Sequence, residues 1–115
     1  MTLKECYDAL EGDYEGVLTR LMTEKLVQKF AVKFLGDQSY ENLVKDMETG
    51  NLEEAFREAH TLKGVCQNLG FTKLYKSSAE MTELLRAGET DKAASLLPQI
   101  TADYEQTVAA IKNIE

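Results

Sequence analysis

The sequence predicts an all-α fold, namely an antiparallel four-helix bundle of up-down-up-down topology with extra short N-terminal helices. Nearly every segment repeats its apolar residues at the helical spacing of about 3.6 residues, and no segment alternates apolar and polar residues as a strand would. The chain has 115 residues and a single proline, and this length suffices for one domain with one core. Because the predicted connections are short, successive helices should be antiparallel neighbours.

The predicted helices are bounded mainly by glycines. Their ranges, in chain order, are 3–10, 14–21, 24–35, 39–47, 51–69, 72–87 and 90–114. Gly36, Gly50 and Gly70 follow three of these ranges, in the position that a C-terminal cap prefers. The range 24–35 is strongly amphipathic, and its apolar residues are Leu26, Val27, Phe30, Ala31 and Phe34.

Polar residues mark the starts of the later helices. Asn51 is a good N-cap, and Glu54 follows it at the capping-box spacing. Thr72 is expected to cap the next helix. Pro98 lies inside the last range and should kink or divide that helix, because proline has no backbone N–H and clashes with the preceding turn.

Charge and composition argue against several classes of function. A net charge of −7 is unsuited to nonspecific binding of nucleic acid or anionic membranes, which requires a basic face. No apolar run approaches the roughly 18–20 residues that span a bilayer, and the N-terminal MTLKECYDAL has no signal-peptide core. We therefore expect a cytoplasmic protein. Cys6 and Cys66 form no CxxC pair and no Cys/His cluster with zinc spacing, so they should be ordinary thiols.

The only histidine, His60, lies in the stretch EAHTLKGVCQNLG. On a helix that advances 100° per residue, a buried stripe is formed by Ala55, Leu62, Val65, Cys66 and Leu69. His60 falls on the opposite side, which we call the His60 face; its other members are Glu53, Phe56, Arg57, Lys63, Gly64 and Gln67. This position counts against a core histidine and leaves incidental exposure as the alternative. Phe56 would be a partly exposed apolar contact for a partner.

Gly64 stands one turn after the histidine, inside a strong helical pattern. Side chains on a helix lean toward its N-terminus, so a side chain at position 64 would partly cover the imidazole. Glycine uncovers the ring, at a cost of roughly 1 kcal/mol of helix stability relative to alanine. The alternative is a glycine that allows close helix packing. That role requires the packed face, so we expect a bare docking place for another macromolecule.

Three polar residues around His60 suit an anionic group. Arg57 and Lys63 stand three residues to either side of the histidine, where they would form a local positive site for a phosphoryl group. Gln67 can add a neutral hydrogen-bond donor. The alternative for both cations is that they are ordinary solvated helix charges.

The stretch HTLKGVCQNLG resembles the signature of histidine-containing phosphotransfer (HPt) domains, His-x-Leu-Lys-Gly followed by Asn-x-Gly or a near relative. The likeness continues upstream in FAVKFLGDQSYENLVKDMETGNLEEAFREA and downstream in LYKSSAEMTELLRAG, and it covers about residues 24–114. It implies a four-helix bundle over residues 23–115 in which His60 is phosphorylated on a ring nitrogen. Residues 1–22 fall outside the generic pattern and are expected to be a helical extension that caps the bundle.

The resemblance implies a carrier that passes a phosphoryl group between His60 and receiver-domain aspartates of a two-component phosphorelay. Lys63 would offset the phosphate charge, and Gly64 would make room for the receiver. The expected partners are a response-regulator receiver domain, a hybrid sensor histidine kinase, or both, and we expect a monomer. With no Walker-type phosphate loop and no room for an ATP-binding domain, the chain should be neither an enzyme nor an autokinase. It should bind no cofactor or metal, with Mg²⁺ held by the partner receiver.

The rival hypothesis is a noncatalytic helical-bundle interaction module, which binds a signalling partner while His60 is never modified. An independent enzyme is less well supported. Glu53 and Glu58 are poorly placed to orient the imidazole, and Cys66 lies on the buried stripe, where it would serve packing.

Overall fold

The computed structural model describes residues 1–115 and consists of helices, with no strand. The α-helices are α1 (Leu3–Ala9), α2 (Tyr14–Leu21), α3 (Glu24–Lys33), α4 (Ser39–Thr49), α5 (Leu52–Leu69), α6 (Thr72–Arg86) and α7 (Thr90–Lys112). A 3₁₀ turn, Phe34–Gly36, directly follows α3. The all-α prediction is confirmed, and every predicted helix end lies within two residues of the observed one.

Of the three glycines predicted to cap the C-terminal ends of helices, two do so. Gly50 and Gly70 cap α4 and α5 in the left-handed conformation, with φ of 76° and 71°. A Cβ at Gly70 would also lie 2.8 Å from the carbonyl oxygen of Asp13, so this close approach requires glycine. The prediction of a C-cap at Gly36 is wrong. The chain continues from α3 into the 3₁₀ turn, so the helix tightens in its last turn instead of ending in a left-handed residue.

The predicted N-cap position of Asn51 is confirmed, whereas the capping box at the start of α5 and the cap by Thr72 at the start of α6 are wrong. Asn51 occupies the N-cap position of α5, but its side chain makes no capping hydrogen bond. Glu54 instead pairs with Arg57 one turn further on. The N-cap of α6 is Phe71, and Thr72 is already helical.

Pro98 does not divide the last helix, because α7 runs unbroken from Thr90 to Lys112 with the proline inside it.

Four helices enclose the main core. α5 packs along α4 and α6, α6 packs along α7, and α7 also touches α4. α5 and α6 run antiparallel, since Arg86 at the end of α6 lies over the ring of Phe56 near the start of α5. The largest fully buried side chains of these helices include Leu43, Leu62, Leu74, Met81 and Ile100. Burial of each contributes roughly 1.5–3 kcal/mol. No helix combines the length and apolarity that a membrane crossing would require.

The buried stripe of α5 differs from the prediction at two positions. Its buried residues are Ala55, Ala59, Leu62, Cys66 and Leu69. Val65 is only half-buried, because it lies at the edge of α5 beside Phe34 and the 3₁₀ turn. Ala59 was not predicted; its small side chain lies in the fully covered interior. The stripe is therefore displaced away from the Val65 side.

α3 leaves part of its apolar side uncovered. Val27, Ala31 and Phe34 are buried in the core, whereas Leu26 is 39% exposed and Phe30 is 37% exposed. Met22, just before α3, is 79% exposed. Leu26 and Phe30 are four residues apart within α3, so they lie along one side of the helix; we call these two residues the α3 row.

The N-terminal helices attach to the C-terminal end of α5. The Tyr7 hydroxyl donates a hydrogen bond of 2.7 Å to the Leu69 carbonyl, and the Asp13 amide donates one of 2.8 Å to the Gly70 carbonyl. The guanidinium group of Arg20 donates to two more carbonyls in the last turn of α5. These bonds satisfy carbonyl groups that a helix end leaves without partners. The boundary between an extension, 1–22, and a bundle, 23–115, stays a prediction.

Candidate functional site

His60 stands near the middle of α5, exposed to solvent. Leu62 and Cys66, on the other side of the same helix, are completely buried. The fold thus presents the imidazole outward from the centre of a long, well-packed helix. A side chain on such a helix is held by a rigid support while its ring stays accessible.

Gly64 is open on its outer side. A Cβ built at this position would meet no heavy atom within 4 Å. The alternative explanation, a glycine that permits close helix packing, therefore does not apply. The surface one turn beyond His60 is bare backbone.

The imidazole of His60 lies alongside the ring of Phe56. The two ring centroids are 6.0 Å apart and the ring planes differ by 8°. On the α6 side, the Arg86 guanidinium carbon lies 5.0 Å from the Phe56 centroid. The helical spacing predicts that Phe56 lies on the His60 face, where it would contact a partner. Its parallel arrangement with the imidazole and the involvement of Arg86 are visible only in the folded chain.

The two cations expected beside His60 have different surroundings. Arg57 forms ion pairs with Glu53 and Glu54 of its own helix, the first at 2.8 Å. Lys63 is half-buried and takes part in none of the ion pairs of the chain. The positive charge that is free to meet an anion near His60 is therefore chiefly that of Lys63.

Gln67 is exposed at the C-terminal end of the His60 face. Its backbone carbonyl accepts a hydrogen bond of 3.1 Å from Arg20, so the fold brings a further cation to this end. The partners of Arg20 are carbonyl groups, which leave its charge uncompensated. The sequence carries no local signal for this contact, because Arg20 and Gln67 are 47 residues apart.

No acidic residue of α5 is placed to orient the imidazole. Glu53 pairs with Arg57. Glu58 faces α4, where burial and the nearby Asp46 raise the pKa of its carboxyl group. The chain brings together no group of three or more His, Cys, Asp or Glu side chains that could hold a metal ion. Burial raises the pKa of the Cys66 thiol, which favours its uncharged form.

A groove runs between α3 and α5 on the Val65 side of the helix. It has a volume of about 550 Å³, and its lining residues are Phe30, Lys33, Phe34, Gly36, Asp37, Val65, Asn68 and Leu69. Phe30 belongs both to this groove and to the α3 row. On a helical projection of α5, Asn68 lies between Gly64 and Val65. The groove is therefore next to the uncovered backbone at Gly64.

The comparison with protein families agrees with this arrangement. The family model described as Hpt domain matches residues 25–110, a range that contains all of α4 to α6, nearly all of α3 and α7, and the whole His60 face. The chain therefore belongs to the Hpt domain family, and the suspected resemblance is confirmed. Hpt domains are phosphocarriers that interact with receiver domains and histidine kinases in phosphorelays. Neither the curated proteins nor the solved structures compared with the chain gave a match.

Proposed function

We propose that this protein carries a phosphoryl group on His60 and exchanges it with receiver-domain aspartates in a two-component phosphorelay. The observation that carries the proposal is the single histidine, exposed on α5 beside a glycine whose outer side is empty, in a chain of the Hpt domain family. An acceptor ring must be reached by another protein without obstruction, and the empty space outside Gly64 leaves the imidazole accessible.

The imidazole has the chemistry for this exchange. A neutral ring nitrogen is a good nucleophile near pH 7. Its lone pair forms the N–P bond while the P–O bond to the aspartate breaks, and the carboxylate leaves with the electron pair. The reverse step returns the phosphoryl group to an aspartate. One nitrogen thus serves as acceptor and then as leaving group, which suits a carrier.

Lys63 supports the same proposal through its charge. A phosphoryl group on His60 adds negative charge to an exposed surface, and the Lys63 ammonium has no competing carboxylate partner. Charge-assisted contacts with phosphate oxygens are roughly twice as strong as neutral hydrogen bonds. Arg57 is a weaker candidate, since it must leave two carboxylates before it can contact phosphate.

The apolar surface beside Gly64 is suited to the partner. A receiver domain that approaches His60 over Gly64 would also meet the groove between α3 and α5 and the α3 row. Exposed apolar residues that adjoin a reactive group are typical of a protein contact. The receiver could belong to a response regulator or to a hybrid sensor histidine kinase. We propose that the receiver also supplies the Mg²⁺, so that this chain needs no cofactor. We further propose that the chain works as a monomer in the cytoplasm.

Transfer from a phosphorylated receiver domain tests the proposal. The wild-type chain should gain acid-labile, alkali-stable phosphate, and His60→Gln should gain none while its thermal melt stays unchanged. Lys112→Gln, a change at the far end of α7, is the matched control and should be labelled normally. If the wild-type chain binds the receiver but takes up no phosphate, the interaction-module hypothesis replaces this one. Equal labelling of His60→Gln would show that another residue is the acceptor.

A further inference from the structure

Three residues of α5 stand at successive four-residue steps: Phe56, His60 and Gly64. Because side chains lean toward the N-terminus of a helix, the imidazole lies over Phe56, and a side chain at position 64 would lie over the imidazole. The ring therefore has an aromatic support on one side and open space on the other. Because only the Gly64 side of the ring is open, the imidazole is accessible from that side.

Phe56 is itself held from a second helix. Arg86 of α6 lies over its ring at 5.0 Å, in the range of a cation–π contact. Leu52 and Leu85 line the same cleft between α5 and α6, and Arg86 is also paired with Glu83 at 3.4 Å. Phe56 is half-buried in this setting. Its ring is thus a better-fixed support than an exposed side chain would be.

A histidine that takes part in group transfer is commonly oriented by a carboxylate or a carbonyl. The nearby acidic residues are not available for this purpose, since Glu53 pairs with Arg57 and Glu58 faces α4. The parallel contact with Phe56 is the feature of the structure that distinguishes one orientation of the His60 ring from the others.

We propose that Phe56 is a positioning residue for phosphoryl transfer at His60, an inference that rests on the proposed function. A histidine on a helix has roughly two accessible χ1 wells and two orientations of χ2, or about four arrangements. Selecting one of them in advance raises the fraction of encounters in which the nitrogen faces the phosphorus atom. Loss of the aromatic ring should therefore slow transfer about fourfold, without weakening receiver binding.

Two variants and a control separate positioning from other roles. Phe56→Leu keeps an apolar side chain but removes the aromatic face, and Phe56→Tyr restores it. Leu52→Ala changes the same cleft without touching the imidazole. At saturating phosphorylated receiver, Phe56→Leu should transfer about fourfold more slowly with an unchanged KM, while Phe56→Tyr and Leu52→Ala should behave as wild type. Circular dichroism establishes that each variant is folded.

Nuclear magnetic resonance of the imidazole C–H protons reports the orientation without any receiver. Wild type should show Overhauser contacts between the His60 and Phe56 rings, and Phe56→Leu should shift the imidazole signals toward those of a freely rotating histidine. Wild-type transfer and unchanged signals in Phe56→Leu would overturn the inference. A raised KM with unchanged saturating rate would also overturn it, since Phe56 would then be a receiver contact.

Phosphoramidate distinguishes failure of this inference from failure of the proposed function. This small donor can place a phosphoryl group on an imidazole nitrogen, with ammonia as the leaving group, so no receiver is required. If no receiver labels the wild-type chain, the proposed function fails. The Overhauser contacts between the His60 and Phe56 rings and the rates of labelling by phosphoramidate then still test whether Phe56 positions the imidazole. A ring that gives no Overhauser contact to Phe56 in the wild type refutes the positioning role even if receivers label His60.

Discussion

Substitutions at Gly64 should separate the stability of α5 from the transfer activity, two properties that most changes at a binding surface alter together. Alanine at this position brings a Cβ into space where no heavy atom lies within 4 Å. It therefore adds no clash and removes the helix cost of glycine, which is about 1 kcal/mol. For a domain of this size we expect a Tm rise of about 4 °C.

Gly64→Glu should remain folded and lose activity. The longer side chain leans over the imidazole, and its carboxylate stands beside the incoming phosphoryl group. Two like charges about 5 Å apart near a protein surface repel by roughly 1–3 kcal/mol. That energy alone slows transfer about fivefold or more, and the steric cover adds to the loss.

Two control variants make the comparison decisive. Gly64→Gln has the same shape without the charge, so its transfer rate should fall between those of wild type and Gly64→Glu. Ala102→Glu places the same charge on the exposed side of α7 and should transfer normally. Thermal melts and transfer from a phosphorylated receiver are measured on all of them. The reasoning is refuted if Gly64→Ala is less stable than wild type, or if folded Gly64→Glu transfers at the wild-type rate.

The remaining predictions concern a cation, a hydrogen bond and the thiols. Lys63→Ala should slow transfer about tenfold, since a hydrogen bond to a charged group is worth about 1.5 kcal/mol; an unchanged rate would make the lysine a solvated charge. Tyr7→Phe should lower the free energy of unfolding by about 1–3 kcal/mol, because the Leu69 carbonyl loses its buried donor; denaturant unfolding measures the loss, and unchanged stability would contradict it. Burial raises the pKa of Cys6 to about 11 and that of Cys66 further, so at pH 8 a thiol reagent should label both only after unfolding. Fast labelling of the native protein would contradict that.

Periodicity was sufficient to predict the helices and the exposed side of α5. An apolar stripe fixes which side of a helix is buried, so the side that carries His60 and Gly64 followed from spacing alone. The ion pairs of Arg57 were also within reach of the sequence. Glu53 and Glu54 precede Arg57 by four and three residues, the spacings at which opposite charges meet on a helix. That pattern predicts that the charge of Arg57 is compensated by the two glutamates. It also predicts that Glu54 is engaged by Arg57 and does not form a capping box with Asn51.

Other features of the site depend on contacts between distant segments. Arg20 reaches the end of the His60 face from α2, and Arg86 reaches Phe56 from α6. No spacing within α5 carries information about either. The exposure of Leu26 and Phe30 is a similar case, since an amphipathic pattern shows which side is apolar but not how much of it another helix covers.

The attachment of α1 to the end of α5 has a consequence for the order in which the chain folds. The hydrogen bond from Tyr7 to Leu69 spans 62 residues, whereas the pairings within α4 to α7 mostly join helices that are neighbours in the chain. Contacts between neighbours close short loops and form early, while distant ones carry a larger entropy of loop closure. α1 should therefore dock late and detach first, in a partial opening that costs less than global unfolding. Its amide protons should exchange with solvent faster than those of α5, while the helix that carries His60 stays intact beneath it.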